Sequence, residues 1–360
     1  MTILENVPLA QYTTLGVGGP ARWFVETAVE DEMLAAVRFA RTHAAPYFIL
    51  GGGSNLLVSD DGFPGLVIHI SSTGSALHNE SNGFATIVSS AGVDWDSIVR
   101  LAVEKNCAGI ECLAGIPGSV GGTPVQNVGA YGQEVSRTIV SLRALDLEAE
   151  KIVRLPASDC GFAYRRSIFN TTHRERYAIT QVVYSLKLDG APHLDYRDVK
   201  QYFAERAIAQ PSLSETAAAV RAIRARKGMV LAADDPDSRS AGSFFKNPVV
   251  PAATVSRLAT LAGCRIDQVP QFPSGSGYAP SDEMVKLSAA WLIELAGFHK
   301  GFTMGRAGLS TKHVLAIINR GGASAADILA LRDAITQGVQ ARAEIKLEQE
   351  PIMLGFEPPR

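Results

Sequence analysis

At 360 residues, 46% apolar and 19% charged, the chain carries more than one hydrophobic core usually serves and excludes long disorder. A formal net charge of −2 argues against nucleic acid as the main partner, since gripping its phosphates calls for a marked Lys/Arg excess. The opening MTILENVPLAQYTT lacks a signal peptide's basic start and apolar run, and no stretch of 18 apolar residues occurs, so a cytoplasmic protein without membrane insertion is expected.

Arg22 to Glu26 alternates around large side chains and reads as a strand, followed by a helix over EDEMLAAVRFARTH with Met33, Leu34, Val37 and Ala40 at helical spacing. Short apolar runs at Tyr47–Leu50 and Leu66–Ile70 complete a small β-α-β-β unit. FATIVSSAG is the next strand. Asp94 then caps a helix whose Trp95, Ile98, Val99, Ala102 and Val103 share a face. Gly115 to Gly132 is too glycine-rich and polar for regular structure. Ser141–Val153 forms a hairpin around LEAE, SDCGFAYRRSIFN is loop-like, and YAITQVVYSLKL is a long strand. Beyond Pro211, Ser212 and Glu215 make a capping box for a helix ending near Lys227. Further helices are expected at 251–263, 283–297 and 324–342, and strands at 243–247, 314–319 and 345–354. The layering is mixed α+β.

Two segments invite a phosphate-bearing ligand. ILGGGSN sets Gly51, Gly52 and Gly53 directly after a strand, where bare backbone N–H groups can approach a pyrophosphate and Ser54 and Asn55 add donors; three glycines exceed what a tight turn needs. AGIPGSVGGTPVQNVGAYGQEV supplies Gly118, Gly121, Gly122 and Gly129 beside Ser119 and Asn127, with Ile116, Val120, Val125 and Val128 to anchor the loop, so a cofactor laid on backbone suits it better than a linker role. Neither is GxGxxG opening a helix, and no GxxxxGK[ST] occurs.

With YTTLGVGGPA, GGGSN and GIPGSVGGTPVQNVGAYG on the page, the sequence resembles the UDP-N-acetylenolpyruvoylglucosamine reductases along nearly its whole length. The resemblance implies an α+β FAD-binding fold of the vanillyl-alcohol-oxidase type, with subdomains over 1–70 and 71–210. A C-terminal α+β substrate domain over 211–342 and a returning strand over 343–360 would complete it. It implies noncovalent FAD, held by both loops including Pro117, Ala130 and Tyr131, with NADPH as co-substrate and a UDP-sugar as substrate in peptidoglycan precursor synthesis, in a monomer.

The same resemblance assigns three catalytic residues. Arg165 of FAYRRSIF would take the enolpyruvyl carboxylate in its bidentate fork. Ser243 of SAGSFFKNP would protonate the carbon next to the one that receives hydride. Glu350 of KLEQEPIM would stabilise the enolate, although Glu348 lies two residues away on the same face of a strand and only alignment favours Glu350. Tyr196 of HLDYRDV resembles the tyrosine on a mobile loop of the family's type I branch, and Lys227 and Asn247 match its diphosphate contacts. Arg221, Arg224 and Lys227 share a helical spacing whose ordinary explanation is a solvated face.

An FAD oxidase of the same fold and an inactive nucleotide-sugar binding module are the alternatives. The first is disfavoured because no histidine lies between His43 and His69 to anchor a flavin covalently, the second because a sensor needs no proton donor. The scattered histidines lack HxxxH or HExxH spacing, and no metal site is assigned.

Overall fold

The structure is a computed structural model and describes residues 1–79, 82–272 and 284–356. The chain forms two compact units, the first from Met1–Val7, Ala21–Gly53 and Pro64–Arg226, the second from Pro8–Pro20, Ser54–Phe63 and Lys227–Arg360.

Among its described residues the first unit holds two larger sheets and the two-stranded pairing of Gly129–Ala130 with Gln133–Glu134. One runs in the order Leu4–Pro8, Pro20–Thr27, Phe63–Ile70, Tyr47–Leu50, its last pair parallel with Tyr47 opposite Leu66. The helix Glu30–Thr42 buries Met33, Ala36, Val37 and Ala40 in one cluster with Trp23, Val25, Leu66 and Ile68. Its apolar stripe and the strands' alternation thus meet face to face. The other sheet is antiparallel in the order Lys151–Pro156, Ile139–Asp146, Tyr177–Leu188, Phe84–Ser90, Ser75–Asn79, with Cys107–Ala108 paired to the end of the long central strand. Asp94 caps the helix Trp95–Glu104 through its carboxylate on the Ser97 N–H, and Trp95, Ile98, Val99 and Ala102 are buried beneath.

That core also takes Val199 and Phe203 from the helix Arg197–Ala204, and Ala217, Val220 and Ile223 from the helix Leu213–Arg226. The latter opens on the expected box, Ser212 Oγ accepting the Glu215 N–H and the Glu215 carboxylate accepting the Ser212 N–H. Sequence blocks and compact units therefore differ. A boundary at 211 leaves this helix with the substrate block, whereas full burial of Val220 and near-full burial of Ile223, roughly 1.5–3 kcal/mol each, places it in the first unit.

In the second unit the helix Ala325–Ala343 turns Ala325, Ile328, Leu331, Ile335, Val339 and Ala343 inward, a single stripe at spacings of three and four. Ser324 and Asp327 cap it reciprocally, and the Asp60 carboxylate accepts the N–H groups of Ala325 and Ala326. It shares a core with the helix Ala289–Leu295, with Phe244 and Phe245, and with the antiparallel strands Thr303–Met304, Ala307–Leu309 and Ile317–Asn319. Ile352–Leu354 pairs in parallel with Leu56–Val58.

Four expectations change here. Residue 283 lies outside the described residues, and 284–287, expected as helix, is a strand between Val249–Pro251 and Gln271–Phe272; the helix starts only after Ser288, whose hydroxyl accepts the Trp291 N–H. The strand at 243–247 contracts to a bridge between Phe245 and Gln349, and that at 345–354 to this bridge and Ile352–Leu354, with 357–360 outside the described residues. The strand at 314–319 shortens to Ile317–Asn319. Tyr196 keeps its place in loop, at the end that leads into the helix Arg197–Ala204. Among the described residues no helix is long and apolar enough to cross a membrane.

Candidate functional site

In the first unit the two glycine segments meet. A Cβ on Gly51 would lie 2.6 Å from Ser119 Oγ, and one on Gly52 would lie 2.6 Å from Gly118 Cα, so these glycines let one loop lie on the other. Gly53, at φ +59, occupies the left-handed region that glycine tolerates. The second loop is pinned by backbone bonds: Gly118 O accepts the Trp95 N–H, Val120 N–H donates to Val93 O, and Gly121 N–H donates to Ala91 O.

Ser119 Oγ is buried without a hydrogen-bond partner among the described residues. Such a hydroxyl costs free energy unless a ligand or water meets it. Gly122 beside it is exposed, and a Cβ there would meet nothing nearer than that hydroxyl at 3.8 Å. An unmet donor next to open backbone suits a phosphate-bearing cofactor.

Other expected cofactor residues are part of the frame. Asn127 is fully buried; its Nδ2 donates to Ala163 O at 3.0 Å and Glu134 Oε2 at 3.3 Å, and its Oδ1 accepts the Ser136 N–H. Tyr131 is buried, and that burial pushes its phenol up to about 12 against the opposing pull of Arg224, which hydrogen-bonds it. Ala130 pairs with Gln133 in a short hairpin. Pro117 and Gly118 are half-buried.

Arg165 sits in a tight turn closed by two backbone bonds, Ala163 N–H to Arg166 O and Arg166 N–H to Ala163 O, each 3.0 Å. Its φ is +55, a conformation that costs a non-glycine residue about 1–2 kcal/mol and that structures retain where the surroundings over-determine it. Its guanidinium donates from Nη2 to Gly129 O at 2.8 Å, which joins the arginine to the second glycine loop. Tyr196 packs edge-on against Tyr131 with ring centroids 5.2 Å apart.

Arg221 and Arg224 are engaged by groups of the protein itself rather than forming a solvated face. Arg221 pairs with Asp96 at 2.7 Å, and the same carboxylate oxygen accepts the Gly115 N–H. Arg224 is buried and donates from Nε to Gly115 O; burial pulls its pKa below the usual arginine value, although Tyr131 and Asp96 oppose this. The two arginines thus fasten a helix to the glycine loop.

The second unit gathers Ser243, Asn55 and Glu350. Glu350 N–H donates to Phe244 O at 2.8 Å, one residue from Ser243, and Lys246 N–H donates to Glu348 O on the same ladder. Asn55 Nδ2 donates to Glu350 O at 3.2 Å, and Ile352 N–H donates to Asn55 O. Thr14 Oγ1, which the sequence did not single out, donates to Ser240 O at 2.6 Å and lies 3.4 Å from Ser54 O. Glu348 is largely exposed and 3.6 Å from Lys246 Nζ, whereas Glu350 is half-buried. Asn247 Oδ1 accepts the Ala289 N–H at 2.9 Å, which fixes the amide's orientation. Lys227 and Ser243 are half-buried.

Residues 21–156 match the FAD binding domain family, and residues 234–354 match the UDP-N-acetylenolpyruvoylglucosamine reductase C-terminal domain family. The UDP-N-acetylenolpyruvoylglucosamine reductase of Thermobifida fusca is 44% identical over 356 residues, covering 98% of both chains. The chain belongs to the UDP-N-acetylenolpyruvoylglucosamine reductase family. The Streptomyces coelicolor reductase is 43% identical, covering 98% of this chain and 90% of its own. The solved Thermus caldophilus reductase superposes with a TM-score of 0.63 at 26% identity, covering 98% of each chain. The expectation of an α+β FAD-binding fold with a C-terminal α+β domain holds. The FAD-binding match contains both glycine loops and the reductase C-terminal match contains Ser243, Asn247 and Glu350, while Arg165, Tyr196 and Lys227 fall between the two.

Proposed function

We propose that this chain reduces the enolpyruvyl ether of UDP-N-acetylenolpyruvoylglucosamine to UDP-N-acetylmuramate, with FAD resident and NADPH as reductant, as a cytoplasmic monomer making peptidoglycan precursors. Relatedness to the reductases over 98% of the chain carries this reading. The adjacency of Ser243 and Glu350 on one backbone ladder supports it.

Bound FAD would supply the hydride-transfer chemistry that links NADPH to the enol ether. Ser119 and the exposed backbone at Gly122 would hold the cofactor's pyrophosphate, with Gly51 to Gly53, Pro117, Gly118, Gly121 and Gly129 shaping the cradle. Ser54 and Asn55 continue the first loop, and Asn127, Ala130 and Tyr131 brace the second. Arg165 binds the substrate carboxylate through a planar fork. Ser243 gives its hydroxyl proton to the carbon that carries the developing enolate, and water restores it. Glu350 stabilises the developing enolate. Lys227, Asn247 and Tyr196 hold the diphosphate.

The test is anaerobic spectroscopy of the purified protein. NADPH should bleach the flavin absorbance, and the enolpyruvyl sugar should restore it. Restoration by oxygen alone, with the sugar inert, would instead favour the oxidase reading, and a colourless protein that binds no FAD would defeat both.

A further inference from the structure

Arg165 occupies the left-handed position in its turn that glycine or asparagine usually fills, so something must hold it there. Two asparagine amides hydrogen-bond to that turn. Asn170 Nδ2 donates to the carbonyl of Arg165 itself at 3.1 Å, while Asn170 Oδ1 accepts the Ser167 N–H at 2.9 Å. Asn127 Nδ2 donates to Ala163 O, the acceptor in one of the two bonds that close the turn. Asn127 takes φ +47 and is fully buried, so the glycine loop is shaped around this contact.

We infer that Asn170 and Asn127 form a clamp that positions Arg165 for the substrate carboxylate, and that Asn170 is a positioning residue of the reaction. This rests on the role given to Arg165 above. Aspartate at 170 would keep the size and the acceptor for Ser167 but would set a carboxylate oxygen against the Arg165 carbonyl, leaving the turn free to relax and the guanidinium to leave its line. Asn170→Ala removes the donor without adding charge and serves where the aspartate variant does not fold.

The experiment measures reoxidation of the reduced, FAD-loaded enzyme by UDP-N-acetylenolpyruvoylglucosamine for both Asn170 variants, each with Arg165 intact and in an Arg165→Ala background. Misplacing a positioned group should slow the step about tenfold or more while Arg165 is present. No further slowing should appear once Arg165 is gone, since residues acting through one another are not additive. Flavin reduction by NADPH and FAD affinity should match wild type. Equal slowing in both backgrounds, or none in either, overturns the clamp. If Arg165→Ala alone leaves reoxidation unchanged, the role given to Arg165 falls first and the clamp's part in the reaction falls with it.

Discussion

Gly52→Ala isolates what the glycines of the first loop are for. The backbone at Gly52 is outside the positive-φ region, so alanine brings no conformational penalty there, only a methyl group. That methyl would sit 2.6 Å from Gly118 Cα and 2.8 Å from both Gly118 C and Ser119 N, all backbone atoms pinned by the Gly118–Trp95 and Val120–Val93 bonds. The loops must part. Overpacking of this kind costs about 1–3 kcal/mol, which is about 5- to 150-fold in a dissociation constant. Gly51→Ala meets only the Ser119 side chain, whose hydroxyl can rotate away, and Gly122→Ala meets that hydroxyl only at an ordinary contact distance of 3.8 Å. Titrating FAD into each apo variant and following flavin fluorescence should rank the losses Gly52 over Gly51 over Gly122. Wild-type affinity in Gly52→Ala, or a larger loss in Gly51→Ala, would refute the account of loop-on-loop packing.

Ser243→Ala should leave flavin reduction by NADPH intact while turnover falls about 100-fold or more, read by stopped flow; equal loss in both half-reactions would remove the proton-donor role. Arg165→Lys keeps the charge but loses the fork, so turnover should fall with FAD binding unchanged, measured by steady-state kinetics beside the flavin titration. Glu111 is fully buried and its carboxylate accepts the N–H groups of Gly109 and His193 and the Gln133 amide, so Glu111→Gln should cost about 1–3 kcal/mol in chemical denaturation. Asp146 feels burial, which raises its pKa, but the Arg176 hydrogen bond and charge and the N–H groups of Ala149 and Glu148 outweigh this and hold it low. Its stabilisation is therefore present above the unfolded value of about 3.9 and lost as pH falls through the lower native value. Asp146→Asn should flatten that part of the acid dependence of Tm, and an unchanged acid limb would contradict it.

Local signals served the fold well wherever one pattern dominated. Asp94 and the Ser212–Glu215 box start helices as read, because capping is decided within four residues. Met284–Leu287 escaped because a short apolar run before a helix has no period of its own; its strand identity comes from two partners distant in sequence. The same limit hid the true work of Arg224, whose helical spacing looks solvent-facing until Tyr131 and Gly115 close over it. In the glycine loops, composition pointed to the place but not the division of labour. Gly51 and Gly52 serve packing, and Ser119 is the side chain with an unmet bond. Asn170 carried no signal at all, since its value lies in one bond to the backbone of Arg165.

The most direct measurement is a crystal structure of the FAD-loaded protein with the enolpyruvyl sugar bound. The account predicts the Ser119 hydroxyl on a cofactor phosphate oxygen, the Arg165 fork on the sugar's carboxylate and Ser243 Oγ facing the carbon to be protonated. A flavin seated away from Gly51 and Ser119, or a substrate carboxylate held by other cations while Ser243 faces solvent, would contradict it.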